Sequence, residues 1–391
     1  MTTVGIDLIS FYTPQYFLDL KTLAEKRGVD FNKFYTGLGQ EKMAIPPPDE
    51  DIVTMAASAA RPILDQTDPS EIELLLFGTE SGVDQSKAAA MFAHGLLKLP
   101  TRCRGFEVKE ACYAGTAALQ LAIPWALRNP GKKALILASD IARYDLNSPG
   151  EPTQGAGAIA MLVGVNPRIM AIEPESGLYA SDVMDFWRPN YRDEAVVDGK
   201  YSMRVYIAAL EEAWRQYHAL SGRGLADMAR FCYHLPFTKM AEKAHVRLAK
   251  TAGVANLSPE DMEHQMGESL HYNRITGNTY AASLYEGLCS LLDNCTKDLA
   301  GKRVALFSYG SGCMGEFFSG ILQADYRKHL YSAAHKNLLD NRTELTYQQY
   351  EDVFQLGCPT DGGDHTFAQY RTGVYRMKGI SQHKRLYEAL T

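Results

Sequence analysis

Three side-chain types in this chain can together make a carbon–carbon bond between thioesters. They are a cysteine to hold an acyl group, a carboxylate to take a proton from its methyl carbon, and an imidazole to act as acid toward the carbonyl under attack. Cys112 is the candidate nucleophile. It stands where the alternating Phe106/Val108 strand breaks into an alanine-rich helix. The free N–H groups and partial positive charge of a helix's first turn favour the thiolate over a reference thiol with pKa about 8.5. Small residues at Ala111, Ala114, Gly115, Ala117 and Ala118 leave room beside the sulfur for an acyl group. The same pattern also fits a buried structural cysteine. Glu80 closes the apolar run Leu74–Phe77, at the mouth of a buried strand where its pKa would rise, or else it is a surface carboxylate. His234 ends the strand Phe231–His234, as a catalytic acid or as one of ten histidines satisfied by a structural hydrogen bond.

What would position these residues is a repeated order of elements. In the first half, strands are expected over 3–12, 71–80, 104–108, 133–140 and 157–164, with helices over 51–64, 85–97 and after Cys112. Ile45-Pro-Pro-Pro-Asp is a stiff loop. In the second half a helix over 201–220 is followed by the strand ending at His234, a helix from Lys239 and a helix opened by Gly277-Asn278. The strand 304–308 and the glycine-rich turn Tyr309–Gly312 complete the order. Superposed by this order, Glu80 falls against His234, Cys112 against Asn278, and Ser139-Asp140 against Ser308-Tyr309. Each pair ends a strand or opens a helix at one edge, so a single cleft at the carboxyl ends of the strands would collect them. Asp185–Gly199 reads as an irregular insertion, and the chain past residue 325 as polar and helical, without chemistry.

Composition limits the function classes. The chain has 391 residues, 46% hydrophobic and 22% charged, with a formal net charge of −6 and no polybasic tail. These values describe a soluble globular protein without a nucleic-acid partner. No basic region precedes an apolar leader and no run is long enough to span a membrane, which points to the cytoplasm. The seven cysteines are scattered, with no C-x-x-C or Cys/His ligand spacing, so neither a disulfide framework nor a zinc site is expected. Lys239 and Lys243, four apart on one helix face, suit the phosphates of a coenzyme A or form a solvated lysine face. Gly310-Ser311-Gly312 permits close backbone approach to a ligand, and Glu151-Pro-Thr-Gln-Gly-Ala-Gly is a tight turn or a ligand-facing loop.

Taken in order, several stretches resemble the bacterial 3-hydroxy-3-methylglutaryl-CoA (HMG-CoA) synthase family of the thiolase superfamily. They are Glu107-Val-Lys-Glu-Ala-Cys112-Tyr-Ala, Glu151-Pro-Thr-Gln-Gly-Ala-Gly-Ala, Asp185-Phe-Trp-Arg-Pro, Val197-Asp-Gly-Lys-Tyr-Ser202, His234-Leu-Pro-Phe-Thr-Lys239-Met, Gly277-Asn278-Thr-Tyr and Phe307-Ser-Tyr-Gly-Ser311-Gly. The likeness covers about residues 2–345. It implies an α/β, thiolase-like five-layered αβαβα fold with two duplicated halves, residues 1–166 and 167–391, the second with a helical tail, built as a homodimer. It implies Cys112 as nucleophile, Glu80 as base and His234 as acid. Asn278 and Ser311 would contact the acyl and acetoacetyl groups, and Thr153, Ser202 and Lys243 the pantetheine path. Lys239 and Tyr144 would line that path, with Asp30 as a further ligand contact.

The implied substrates are acetyl-CoA and acetoacetyl-CoA and the product is HMG-CoA, precursor of mevalonate, with no resident metal or redox cofactor. A β-branching synthase of polyketide assembly, with a carrier-protein-bound acceptor, shares the three residues. A thiolase would carry its second cysteine just before the glycine-rich turn, where this chain has Ser308 and places Cys313 after it instead.

Overall fold

The long apolar runs come together in one mixed sheet. The computed structural model describes residues 2–254 and 256–390. Up to Val165 the chain forms β1 (Val4–Tyr12), α1 (Ile52–Leu64), β2 (Ile72–Gly78), α2 (Ala89–Leu96), β3 (Arg104–Val108), α3 (Ala114–Arg128), β4 (Lys133–Ala142) and β5 (Gly155–Val165). Beyond it come β6 (Met170–Ala180), α4 (Gly199–Ser221), β7 (Arg230–Tyr233), α5 (Thr238–Thr251), α6 (Ser283–Asn294), β8 (Arg303–Gly310) and β9 (Met314–Leu322). The nine strands lie in the order β7-β8-β9-β6-β1-β5-β4-β2-β3.

The duplication is visible in the pairing. β2 and β4 are parallel, and β4–β5 and β5–β1 antiparallel. Likewise β7 and β8 are parallel, and β8–β9 and β9–β6 antiparallel. The halves join where Gly5 and Ile6 of β1 pair with Ala171 and Met170 of β6. A Cβ on Gly5 would lie 2.1 Å from the Met170 carbonyl oxygen, so the junction requires glycine.

Three cores give five layers. α1 and α2 cover the outer face of the first half, packing Val53, Ala56, Ala60 and Ala93 on Leu75, Phe77 and Leu137. α3 and α6 lie between the halves, their Ala114, Ala118, Ala122, Leu288 and Leu291 sharing a core with Leu76, Ile136, Leu306 and Phe318. α4 and α5 cover the second half through Ala209, Ala213, Ala241 and Ala244 against Phe231, Phe307 and Phe317. Each fully buried Leu or Phe contributes roughly 1.5–3 kcal/mol, so the alanine-rich stripe of α3 has a different use. It lets two helices and two sheet faces approach closely, and a Cβ on Gly115 would come within 2.5 Å of the Ala281 carbonyl oxygen.

Some expectations are corrected. The helix expected over 85–97 begins at Ala89, because Asp84 accepts hydrogen bonds from the Ser86 and Lys87 amides and holds the preceding residues in a turn. The helix expected to open at Gly277-Asn278 begins at Ser283, since Asn278 Oδ1 takes the Tyr280 amide. β6 was not foreseen, its strand pattern being interrupted by Glu173-Pro-Glu175. The insertion after Asp185 is irregular apart from a two-residue pairing of Phe186–Trp187 with Val196–Val197.

The tail is helical only to Leu356; beyond it His365–Thr366, Tyr375–Ser381 and Lys384–Ala389 form an antiparallel sheet. Its hairpin turns at Gln382-His383, both at positive φ, a two-residue turn made without the Asn or Gly that marks one in a sequence.

Candidate active site

The carboxyl ends of β7 and β8 and the segments leading into α3 and α6 border a cleft of about 450 Å³. Glu80 lies two residues beyond β2, and its loop is held by the buried carboxylate of Asp140 on β4. Asp140 Oδ1 accepts from the Thr79 hydroxyl at 2.7 Å and from the Glu80 and Ser81 amides at 2.9 Å each. Its Oδ2 accepts from the Ala281 amide at 3.0 Å, so one side chain ties the Glu80 loop to the segment preceding α6. The Arg188 guanidinium, from the insertion, donates to the Glu80 carbonyl oxygen.

Cys112 Sγ donates to Glu80 Oε1 at 3.0 Å. Burial pushes the thiol well above its ordinary range, and the Glu80 charge adds to the shift. Glu80 is itself raised, first by burial and then by the charge of Asp140. The expectation of a thiolate favoured by the helix end is therefore overturned. α3 starts at Ala114, two residues beyond the cysteine, and Tyr113 is its cap residue. A helix terminus is worth about 0.3–1 kcal/mol, too little against desolvation and a carboxylate in contact with the sulfur. At rest the sulfur is a thiol hydrogen-bonded to Glu80, whose own carboxyl is pushed up to about 8 by burial, so the group that must receive the thiol proton is already in contact with it.

His234 stands one residue past β7. Its amide donates to the Phe307 carbonyl oxygen at 2.8 Å, and its own carbonyl accepts from the Tyr206 hydroxyl at 2.9 Å. Burial pushes the imidazole down to about 3, so at neutral pH it is an uncharged hydrogen-bonding group. Asn278 uses its Oδ1 on the Tyr280 amide and its backbone N–H on the Thr153 carbonyl oxygen, while its side-chain nitrogen has no protein partner among the described residues.

Ser311 tops the glycine-rich turn after β8. That turn lies directly on the loop of Cys112: a Cβ on Gly310 would lie 2.5 Å from the Glu110 carbonyl oxygen and 2.7 Å from the Tyr113 nitrogen. Asp185, fully buried, accepts from the Gly312 amide, the Tyr309 hydroxyl and the Ser202 hydroxyl at 2.8–2.9 Å, joining turn, insertion and α4.

The cleft thus brings together Cys112, His234, Asn278, Ser311, Tyr144, Thr153 and Ser202 in its wall, with Glu80 behind the sulfur. Besides Glu80, three expected residues lie outside the wall. Lys239 pairs with Glu242 at 2.6 Å, and Lys243 is exposed with its ammonium 5.7 Å from the Phe237 ring, which does form wall. Asp30 is exposed and bonded to Asn32; from that region it is Leu38 that reaches the cleft. Sequence reasoning passed over Asp140 as a site residue, although the repeat aligned it with Tyr309, and it passed over Asp185, Arg188, Tyr280 and Ser283. Tyr280, at φ 43, packs its ring beside Cys112 and Phe186. Chemically the arrangement supports acyl transfer to sulfur, proton removal next to the resulting thioester, and hydrogen bonding to an oxygen that gains charge.

Family models for the hydroxymethylglutaryl-coenzyme A synthase N terminal region match residues 1–168, and those for its C terminal region match residues 171–256 and 249–360. A hydroxymethylglutaryl-CoA synthase of Enterococcus faecalis is 46% identical over 359 residues, spanning 92% of this chain and 93% of that protein. A polyketide biosynthesis 3-hydroxy-3-methylglutaryl-ACP synthase of Bacillus subtilis is 36% identical over 379 residues, 91% of this chain and 89% of that one. The crystal structure of an HMG-CoA synthase complexed with CoA superposes with a TM-score of 0.94 at 41% identity, covering 99% of this chain and 100% of that chain.

Proposed function

The chain belongs to the hydroxymethylglutaryl-CoA synthase family, and we infer that it makes HMG-CoA through an acetyl group carried on Cys112. It is an acyltransferase that condenses acetyl-CoA with acetoacetyl-CoA and water, releasing CoA. The observation that carries the residue assignment is the Cys112 thiol donating to Glu80 at the end of the cleft whose wall holds His234. In the first step Sγ attacks the acetyl carbonyl, its proton passes to Glu80, and from there to the sulfur of the departing CoA. Glu80, ionised again, takes a proton from the methyl of acetyl-Cys112, which the thioester has made acidic. The carbanion bonds to C3 of acetoacetyl-CoA while His234 donates to the C3 oxygen. That oxygen ends as a hydroxyl with the proton Glu80 had taken. Water then cleaves the enzyme thioester and restores the thiol.

This reading needs no resident metal or redox cofactor, because thioester and carboxylate supply the acidity and the base. Asn278 and Ser311 hold the acetoacetyl carbonyls, Tyr144, Thr153 and Ser202 line the acyl and pantetheine path, and Lys239 and Lys243 receive the CoA phosphates. Asp30, exposed and bonded to Asn32 beyond the wall, is a further ligand contact in this reading. The product feeds mevalonate formation. A homodimer is supported by the open edge of β3, where Phe106 and neighbouring Met91 are each 39% exposed. A cytoplasmic setting is supported by seven free cysteines, six of them buried; no helix among the described residues is long and apolar enough to cross a membrane.

The test measures CoA release from acetyl-CoA with either acetoacetyl-CoA or acetoacetyl-carrier protein as acceptor. Turnover with the CoA acceptor is expected. Turnover with the carrier protein alone would make this the polyketide β-branching enzyme, and acetyl-Cys112 that condenses with neither would refute the reading.

A further inference from the structure

The proton position on His234 is decided by a residue outside the cleft wall. Ser283, the first residue of α6, is fully buried, and its Oγ lies 2.7 Å from His234 Nδ1. The same Oγ accepts the Leu235 amide at 2.9 Å. A serine hydroxyl has one proton to donate and two lone pairs. With one lone pair taken by Leu235 N–H, the hydroxyl proton has a single acceptor within reach among the described residues, His234 Nδ1. The opposite arrangement, with Nδ1–H donating to Oγ, would leave that proton without a partner in a site that water does not reach. Burial also holds the ring uncharged, so one ring nitrogen and not both carries a proton.

We propose that Ser283 is a positioning residue that holds His234 in the tautomer with its proton on Nε2, the nitrogen left without a protein partner in a ring that lines the cleft. The consequence concerns the C3 oxygen of the acceptor. An Nε2–H donor stabilises charge as it develops there, whereas the other tautomer would present a lone pair to that oxygen and repel it. Since the duplication sets α6 against α3, the start of one helix lies close after the nucleophile and the start of its counterpart orients the acid. The inference rests on the condensation reading only for its catalytic consequence; the tautomer itself is a property of the free protein.

The test uses full-length protein with ¹⁵N-labelled histidine. The His234 nitrogens are assigned by loss of their signals in His234→Ala, and wild type is compared with Ser283→Ala and Ser283→Thr. The expected wild-type spectrum shows a protonated Nε2 and an unprotonated Nδ1, retained in Ser283→Thr and lost or mixed in Ser283→Ala. Ser283→Ala should still take up acetyl on Cys112, with an unchanged KM for acetyl-CoA, while condensation slows about tenfold to a hundredfold, less than a fully wrong tautomer costs. Ser283→Thr should restore it. A wild-type spectrum with the proton on Nδ1, or Ser283→Ala with wild-type tautomer and condensation rate, overturns the proposal. If Ser283→Ala fails to acetylate, and so to fold, the wild-type and Ser283→Thr spectra decide alone. A wild type with the expected tautomer that performs no condensation would instead remove the functional reading and leave the tautomer assignment standing.

Discussion

Replacing Glu80 by alanine should separate two steps that the intact site runs through one carboxylate. In the proposed mechanism Glu80 has both duties: its Oε1 accepts the Cys112 thiol hydrogen bond at 3.0 Å, and the same carboxylate would then take a proton from the methyl of acetyl-Cys112. Alanine removes the acceptor but also the negative charge that helps to raise the thiol, while burial, the larger cause, remains. An unperturbed thiol is only ~3% ionised at pH 7, and Cys112 would still lie on the unfavourable side of that figure. Acetylation should therefore persist but slow by about tenfold to a hundredfold, and it should climb with pH, because the variant depends on spontaneous thiolate. Condensation has no such escape. A methyl carbon needs a positioned base, and its loss should cost about a hundredfold to ten-thousandfold.

The assay is rapid quench with labelled acetyl-CoA, reading acetyl-enzyme by mass spectrometry, followed by a chase with acetoacetyl-CoA. Glu80→Gln, which keeps an acceptor oxygen for the thiol, should show the same split with the fold least disturbed. Wild-type acetylation at neutral pH in both variants would mean that the thiol–carboxylate contact is idle. Wild-type condensation in either would place the base elsewhere.

Lys243→Ala should raise the KM for both thioesters about two- to fivefold with little change in kcat, as an exposed charge contact allows; a collapsed kcat with unchanged KM would move Lys243 into the chemistry. Gly310→Ala should lower kcat by about a hundredfold with a near-native circular dichroism spectrum, since its Cβ would have to displace the Glu110–Tyr113 segment that carries Cys112. Full activity would show that the turn yields without moving the sulfur. Glu50 is buried with Oε1 held by Tyr12 and is raised by burial from an ordinary 4.5 to about 8. Stability from this group is thus complete below its unfolded pKa and is lost as pH rises toward the folded one. Glu50→Gln should leave Tm unchanged near pH 5 and raise it by about 1–3 °C near pH 8, and an equal effect at both pH values would refute the assignment.

What the sequence determined by itself is whatever short-range pattern and repetition encode. The apolar runs of β2, β4 and β5, the amphipathic α4 and the strand–Cys–alanine helix each announce their element locally. The recurrence of that order placed Glu80, Cys112, His234 and Asn278 at one edge before any coordinates. Turns written by a single side chain were less legible: Asp84 and Asn278 each capture an amide and delay a helix, and Gln382-His383 makes a hairpin without glycine.

Only the tertiary structure decided the ionisation of the site. A helix end is a local feature and suggested a thiolate at Cys112. The desolvation and the Glu80 oxygen that hold it as a thiol come from strands and loops 32 residues away. The proton on His234 depends likewise on Ser283, 49 residues on, and the placing of Glu80 on Asp140, 60 residues on. Electrostatic energies depend on distance and burial rather than on order along the chain, so residue types and spacing named the participants, and the packing of the two halves assigned their protons.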